Sequence, residues 1–187
     1  MKKALALLLL LTTLFSVLIM TACDLGGENS DGESENEDGE AEVETFTLGL
    51  ITYDLPKAFM LLSGASDPNA ETAMNMHTQI TTGSTVTASV TNSEGSSIDG
   101  LIPQTPEEAK AVAASLAGAT DDFSNFNVSL NGANSCRVTF VREAMDRTMY
   151  FTVVLCAKTN GEMTSFLTIV LAEMDEARPA AAVLSIR

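Results

Sequence analysis

One histidine, three cysteines and 25 carboxylates hold most of the chemistry this 187-residue sequence could offer. His77 stands in the run Asn75-Met76-His77-Thr78-Gln79. A hydrolytic centre on it would need a serine such as Ser89, a carboxylate to hold the imidazole, and oxyanion donors. No nucleophile-elbow sequence accompanies it. A zinc site needs three or four converging ligands. One histidine and two cysteines that read as a pair do not supply them, so neither a metal nor a diffusible cofactor is expected. The nine methionines are scattered and read as core filling rather than copper ligands. Asp99, Asp121 and Asp122 could serve as acid and base in a glycosidase, a role that depends on the separation of two carboxylates. Two readings of function follow: a non-catalytic binding or accessory domain and, as the alternative, a hydrolase using carboxylates.

Strands must position these residues. Met74, Met76, Thr78 and Ile80 alternate with Asn75, His77, Gln79 and Thr81. Val86, Ala88 and Val90 alternate with Thr85, Thr87, Ser89 and Thr91. A period of two marks a half-buried strand. Closed through a loop Thr82-Gly83-Ser84, the two runs place Met, Ile and Val on one buried face. Asn75, His77, Gln79 and Ser89 then lie on an exposed polar ladder. That ladder is the candidate recognition face, with a protein or a glycan as its partner.

Cys136 and Cys156 fall in a second set of strands. Phe126–Leu130, Ser135–Arg142, Met149–Ala157 and Ser165–Ala172 read as a meander, with turn signals at Asn131-Gly132 and Asn160-Gly161. With Thr159 paired to Glu162, Leu155 meets Phe166. If the middle hairpin is symmetric about Asp146, Cys136 lies directly opposite Cys156. Opposed Cα atoms are ~4.5–5.5 Å apart, within disulfide range. Such a bond would contribute ~3 kcal/mol in the chain-entropy picture. The alternative is two thiols packed as small apolar residues.

The remaining elements are less regular. Phe46–Tyr53 reads as a strand, and Asp54-Leu55-Pro56 as the start of a short helix through Leu62. Thr105–Gly118 is the best helix: Thr105 and Glu108 make a capping box, Pro106 sits in the first turn and Gly118 stops it. After Pro179 the chain reads equally as a strand or an alanine-rich helix. Strands joined by tight turns outnumber helices, which predicts an α+β fold with one helix packed on an antiparallel sheet. A β-sandwich with a helical excursion is the alternative.

Charge divides the chain. Residues 24–45 carry ten Asp and Glu and no Lys or Arg, while residues 46–187 carry fifteen acids against eight Lys and Arg. A net charge of -15 argues against nucleic acid as a partner. The Gly, Ser, Asn and acid of residues 24–45 cannot bury enough apolar surface to fold. They read as a spacer whose neutral equivalent would span about 25 Å, and no calcium-loop pattern fits them.

Ahead of the spacer, Met1-Lys2-Lys3 is followed by apolar residues from Ala4 to Met20, broken only by Thr12, Thr13 and Ser16. A basic start, an apolar run and a small-residue exit form a secretory signal. An ordinary signal peptidase cutting after Ala22 would meet the large Met20 at its third position. Met20-Thr21-Ala22-Cys23 instead resembles the lipobox of bacterial lipoprotein precursors, with Met20 where Leu is usual. The resemblance covers residues 1–23 alone. It implies removal of residues 1–22, acylation of Cys23, a tether over 23–45 and a single globular domain over 46–187. It also implies a place in the bacterial cell envelope, outside the cytoplasm, with a covalent lipid holding the chain to a membrane. Asp24 resembles the signal that retains some lipoproteins of enteric bacteria at the inner membrane.

Overall fold

Val86, Ala88 and Val90 are buried while Thr85, Thr87 and Ser89 between them are only half-buried, so the period of two is realised as a strand with a core face. The computed structural model describes residues 42–95, 97–118, 122–144, 147–174 and 179–187. Residues 1–41, with the leader, Cys23 and most of the spacer, lie outside the described residues, as do Asp121 and Asp146. The described strands, in chain order, are β1 (Val43–Leu48), β2 (Ile51–Pro56), β3 (Met60–Ser63), β4 (Thr72–Gln79), β5 (Ser84–Glu94), β6 (Phe123–Asn131), β7 (Ser135–Ala144), β8 (Arg147–Thr159) and β9 (Met163–Glu173). Helix α1 (Pro106–Leu116) lies between β5 and β6, and the short α2 (Pro179–Val183) follows β9.

Seven strands form one antiparallel sheet in the order β3-β4-β5-β9-β8-β7-β6. β1 and β2 form a separate antiparallel ribbon. Leu48, Ile51, Tyr53 and Leu55 of the ribbon share one core with Val86, Ala88 and Val90 of β5, Leu167, Ile169 and Leu171 of β9, and Ala180 and Leu184. The backbone of Ser185–Arg187 runs beside β2, with Thr52 and Arg187 exchanging both hydrogen bonds at 2.9 Å. Asp54 fixes this arrangement: it accepts from Thr45 Oγ1 and Ser185 Oγ, each at 2.6 Å, and from Arg187 Nη2 at 2.7 Å.

The opposite face of the sheet buries Val138, Phe140, Phe151, Val153 and Leu155. Here α1 packs on β6 and β7, burying Ala109, Ala113 and Leu116. Half of the expected capping box forms: Thr105 Oγ1 accepts from Glu108 N–H at 3.3 Å, while Glu108 reaches one residue past the cap and accepts from Gln104 N–H at 3.2 Å. A register shift between Ser124 and Asn127, with Asn125 at φ 54°, lets both Phe123 and Phe126 reach Phe140. That is the effect of a bulge, which re-aims side chains along one strand.

The sheet-dominated antiparallel architecture matches the expectation. Two helices flank the sheet rather than one, and the segment after Pro179 begins as α2. Three local expectations are corrected. The stretch Phe46–Tyr53 is not one strand but parts of two, turning at Gly49. Asp54–Leu62 is not a helix; Asp54 caps nothing and instead ties the ribbon to Ser185 and Arg187. The compact unit starts at Glu42 rather than Phe46, because Val43–Thr45 pair with Pro56–Asp54 and Lys57 N–H donates to Glu42 O at 2.9 Å. Among the described residues no helix is long and apolar enough to cross a membrane.

Candidate functional site

The expected polar ladder is dismantled by register. Gln79 pairs with Ser84, so the loop runs Ile80–Gly83 and His77 stands opposite Val86, not opposite the polar residues of β5. An odd shift in pairing exchanges the faces of a strand. Asn75 and His77 therefore point into the core beside Val86, Ala88 and Val90, while Met74 is exposed and lies across from Ser89. Gln79 and Ser89 are half-buried and on opposite faces.

Tyr53 of the ribbon makes this burial tolerable. Ala65 N–H donates to Asn75 Oδ1 at 3.0 Å, which fixes the amide orientation. Asn75 Nδ2 then donates to Tyr53 Oη at 3.0 Å, leaving the phenolic proton for His77 Nε2, 2.9 Å away. Phe46 closes the imidazole edge-on, with ring centroids 4.4 Å apart. Burial pushes the Tyr53 phenol well above its ordinary value, so it remains a donor, and burial lowers the His77 imidazole to about 4. His77 is a neutral core residue in a directed hydrogen-bond chain, and its Nδ1 has no partner among the described residues.

The two cysteines are also separated by register. Cys136 pairs with Leu155, and Cys156 pairs with Ser135. A one-residue slip places the two thiols on opposite faces of the sheet, and no disulfide joins them. The loop decides this: Ala144 pairs with Arg147, so the hairpin is centred half a residue away from Asp146. Burial raises the pKa of both thiols above its ordinary value, keeping them protonated. Alkylation of the unfolded chain without reductant should label Cys136 and Cys156 alike; a chain that takes label at neither would restore the disulfide. The β8–β9 pairing also shifts, by two residues: Thr159 meets Thr164, and Leu155 meets Thr168 instead of Phe166. An even shift keeps every side chain on its expected face.

Of the acidic candidates, Asp121 lies outside the described residues. Asp99 is exposed and accepts from Ser97 in its own loop, and exposed Asp122 stands 4.0 Å from Arg142. Among the described residues no three His, Cys, Asp or Glu side chains converge.

A different place on the molecule is concave. Ser129 on β6, Arg137 on β7 and Val154 on β8 form one cross-strand row, and Asn131, Ser135 and Cys156 form the next. With Ile186 as a side wall, these six line an open hollow of about 300 Å³, at the lower end of small-molecule sites. Arg137 is half-buried, and Nη2 donates to Leu184 O at 2.5 Å. Burial lowers the pKa of its guanidinium below the ordinary value. Sequence reasoning missed this hollow. Ser135, Arg137 and Thr139 alternate with Cys136, Val138 and Phe140, which reads only as an outward face; that Leu184 and Ile186 of the C-terminal segment stand beside it is a tertiary fact.

No protein-family model and no curated protein matches the chain. Among solved structures it is similar to the Ran-binding protein Mog1p of Saccharomyces cerevisiae, with 12% identity over 71% of this chain and 78% of that one and a TM-score of 0.41. It is also similar to LpqN of Mycobacterium tuberculosis, a protein involved in cell envelope biogenesis, with 14% identity over 80% of this chain and 92% of that one and a TM-score of 0.39. At these identities and scores neither likeness bears on function.

Proposed function

We propose that this chain is a lipid-anchored protein of the bacterial cell envelope whose domain is a non-catalytic binding or accessory module. The observation that carries the reading is the N-terminal order: basic start, apolar run, Met20-Thr21-Ala22-Cys23, then ten carboxylates without a base before residue 46. Each part has a physical role in that reading. The apolar run is an address that is removed. Acyl chains on Cys23 hold the chain to a bilayer, which takes two or more chains to be stable. The acidic segment keeps the domain off the membrane by its length and self-repulsion.

Two features of the domain support binding over catalysis. His77 is committed to the core through Tyr53, and the hollow at Arg137 offers hydrogen-bond donors on one face of the sheet. The partner is an envelope protein or a glycan. Metabolic labelling with a radioactive fatty acid tests the anchor. The wild-type chain should take the label and sediment with membranes. Cys23→Ala should lose the label and, if the leader is still cleaved, appear in the soluble envelope fraction. An unlabelled wild type that leaves the membrane under mild extraction would refute the proposal.

A further inference from the structure

We infer that the hollow at Arg137 is a binding site for a small carboxylate with a short aliphatic tail, the guanidinium gripping the head group and Val154 and Ile186 receiving the tail. This deepens the reading of the domain as a binding module and is independent of the anchor at Cys23.

The argument starts from charge. Three ion pairs are formed among the described residues: Lys57 with Glu42, Arg142 with Asp122, and Arg187 with Asp54. Arg137 is in none of them, although the chain carries 25 carboxylates for ten Lys and Arg. It is also more withdrawn from solvent than Lys57 or Arg187. Withdrawing a cation from water is unfavourable unless an anion or strong acceptors replace the hydration shell. The fold supplies one acceptor, Leu184 O. The other guanidinium N–H groups take no partner among the described residues, and they are not sealed from solvent.

The neighbours define what would complete the site. Ser129 and Val154 flank Arg137 on the adjoining strands, and Ser135, Asn131 and Cys156 make the row beside it. Two hydroxyls and a carboxamide are donors that can turn toward an anion. Asn131 and Ser129 are already within 3.5 Å of each other. The planar fork of arginine matches a carboxylate with two parallel hydrogen bonds. A single guanidinium does not neutralise a phosphate dianion. The buried Val154 side chain and the half-buried Ile186 and Cys156 give the rest of the hollow an apolar wall. A head of one charge and a short aliphatic tail fit both halves. A free fatty or keto acid and the C-terminus of a peptide both present that chemistry.

The test uses the purified full chain and two readouts. Titration with sodium butyrate should shift the Arg137 Nε–Hε and Val154 methyl resonances with saturation in the millimolar range, as expected for so small a ligand. Butyramide, which has the same shape without the charge, should leave them in place. N-acetylvaline distinguishes the sources: binding tighter than butyrate indicates a peptide terminus, and weaker binding a free acid. Arg137→Gln should weaken butyrate by at least about tenfold, as loss of a bidentate charged pair implies. If that variant is poorly folded, Ser135→Ala should weaken it several-fold in a domain that keeps its unfolding midpoint. Independently, butyrate should slow alkylation of Cys156 and leave buried Cys136 unaffected. The inference is overturned if butyramide acts as butyrate does, if Arg137→Gln binds as wild type, or if no saturable shift occurs. Loss of fatty-acid labelling at Cys23 would leave this result untouched, so the two readings fail separately.

Discussion

Gly49→Ala should destabilise the domain by about 3–5 kcal/mol, whereas Gly83→Ala should cost only about 1 kcal/mol. Both glycines adopt left-handed backbone, with φ of 57° and 72°. That conformation alone costs an ordinary residue roughly 1–2 kcal/mol. What separates them is the space around the missing side chain. A Cβ on Gly83 would meet nothing within 4 Å, while a Cβ on Gly49 would fall inside the contact radii of Asn92 Oδ1 and Ser165 Oγ. Those two atoms are bonded to each other at 2.6 Å. Ser165 Oγ also accepts from Leu50 N–H at 2.9 Å, and Asn92 Nδ2 donates to Ala70 O at 2.7 Å. Gly49 N–H donates to Pro68 O at 2.8 Å. The turn between β1 and β2 is thus stapled to β5, β9 and the segment before β4 through one largely buried polar cluster. Moving Asn92 or Ser165 to admit a methyl leaves buried donors unpaired, at roughly 1–3 kcal/mol each. For a domain of this size the sum is a fall in Tm of roughly 10–15 °C. Thermal unfolding followed by circular dichroism compares the two variants directly, and equal losses would show that the cluster does not hold the turn.

The role of Gly49 illustrates what the sequence conveyed and what it withheld. Local signals were legible. Thr105, Pro106, Glu108 and Gly118 mark α1 without tertiary help, and the alternation in 86–90 and 135–140 marks strands. Pairing was less so, because register depends on the length of each loop. A loop of Ile80–Gly83 instead of Thr82–Ser84 exchanges the faces of β4. A two-residue connection after Ala144 moves Cys156 from beside Cys136 to the other face. Asp54-Leu55-Pro56 carries a valid helix-start signal, but the Asp54 carboxylate makes its bonds to Thr45, Ser185 and Arg187, two of them more than 130 residues away. Asn75 and His77 look like surface residues because a polar side chain in a strand is usually exposed. They are buried because Tyr53, from a different hairpin, satisfies them. The hollow at Arg137 has no local signature at all; it exists where Ile186, from the C-terminal segment, comes to stand beside β6, β7 and β8.

The stability of the domain should fall by about 3 kcal/mol as the pH is lowered from 6.5 to about 4, and His77→Gln should abolish that fall. In the unfolded chain the imidazole takes its proton near its ordinary value of 6.5, whereas in the folded chain burial holds it to about 4. Above 6.5 both states are neutral and His77 adds no pH dependence. Between the two values the unfolded chain binds a proton that the folded chain refuses, so acid favours unfolding. Below about 4 both are protonated and the loss levels off. The local geometry acts in the same direction, since protonation would put a hydrogen on Nε2 where the Tyr53 hydroxyl now donates. Asp54 does not obscure this window. Hydrogen bonds from Ser185 and Thr45, with Arg187 alongside, hold its carboxyl below the ordinary 3.8. The stability it contributes is present above that value and is lost only as the pH falls through the lower, folded one. Urea midpoints measured across the range should therefore slope between pH 6.5 and 4 in the wild type and run flat in His77→Gln, at lower overall stability because Tyr53 loses its acceptor. The chain has one histidine, so its imidazole resonances report on this residue alone. In the folded protein they should stay at their neutral positions down to about pH 5. A midpoint near 6.5 in the native state would mean that the ring reaches water, and that the chain from Ala65 through Asn75 and Tyr53 to His77 is not closed.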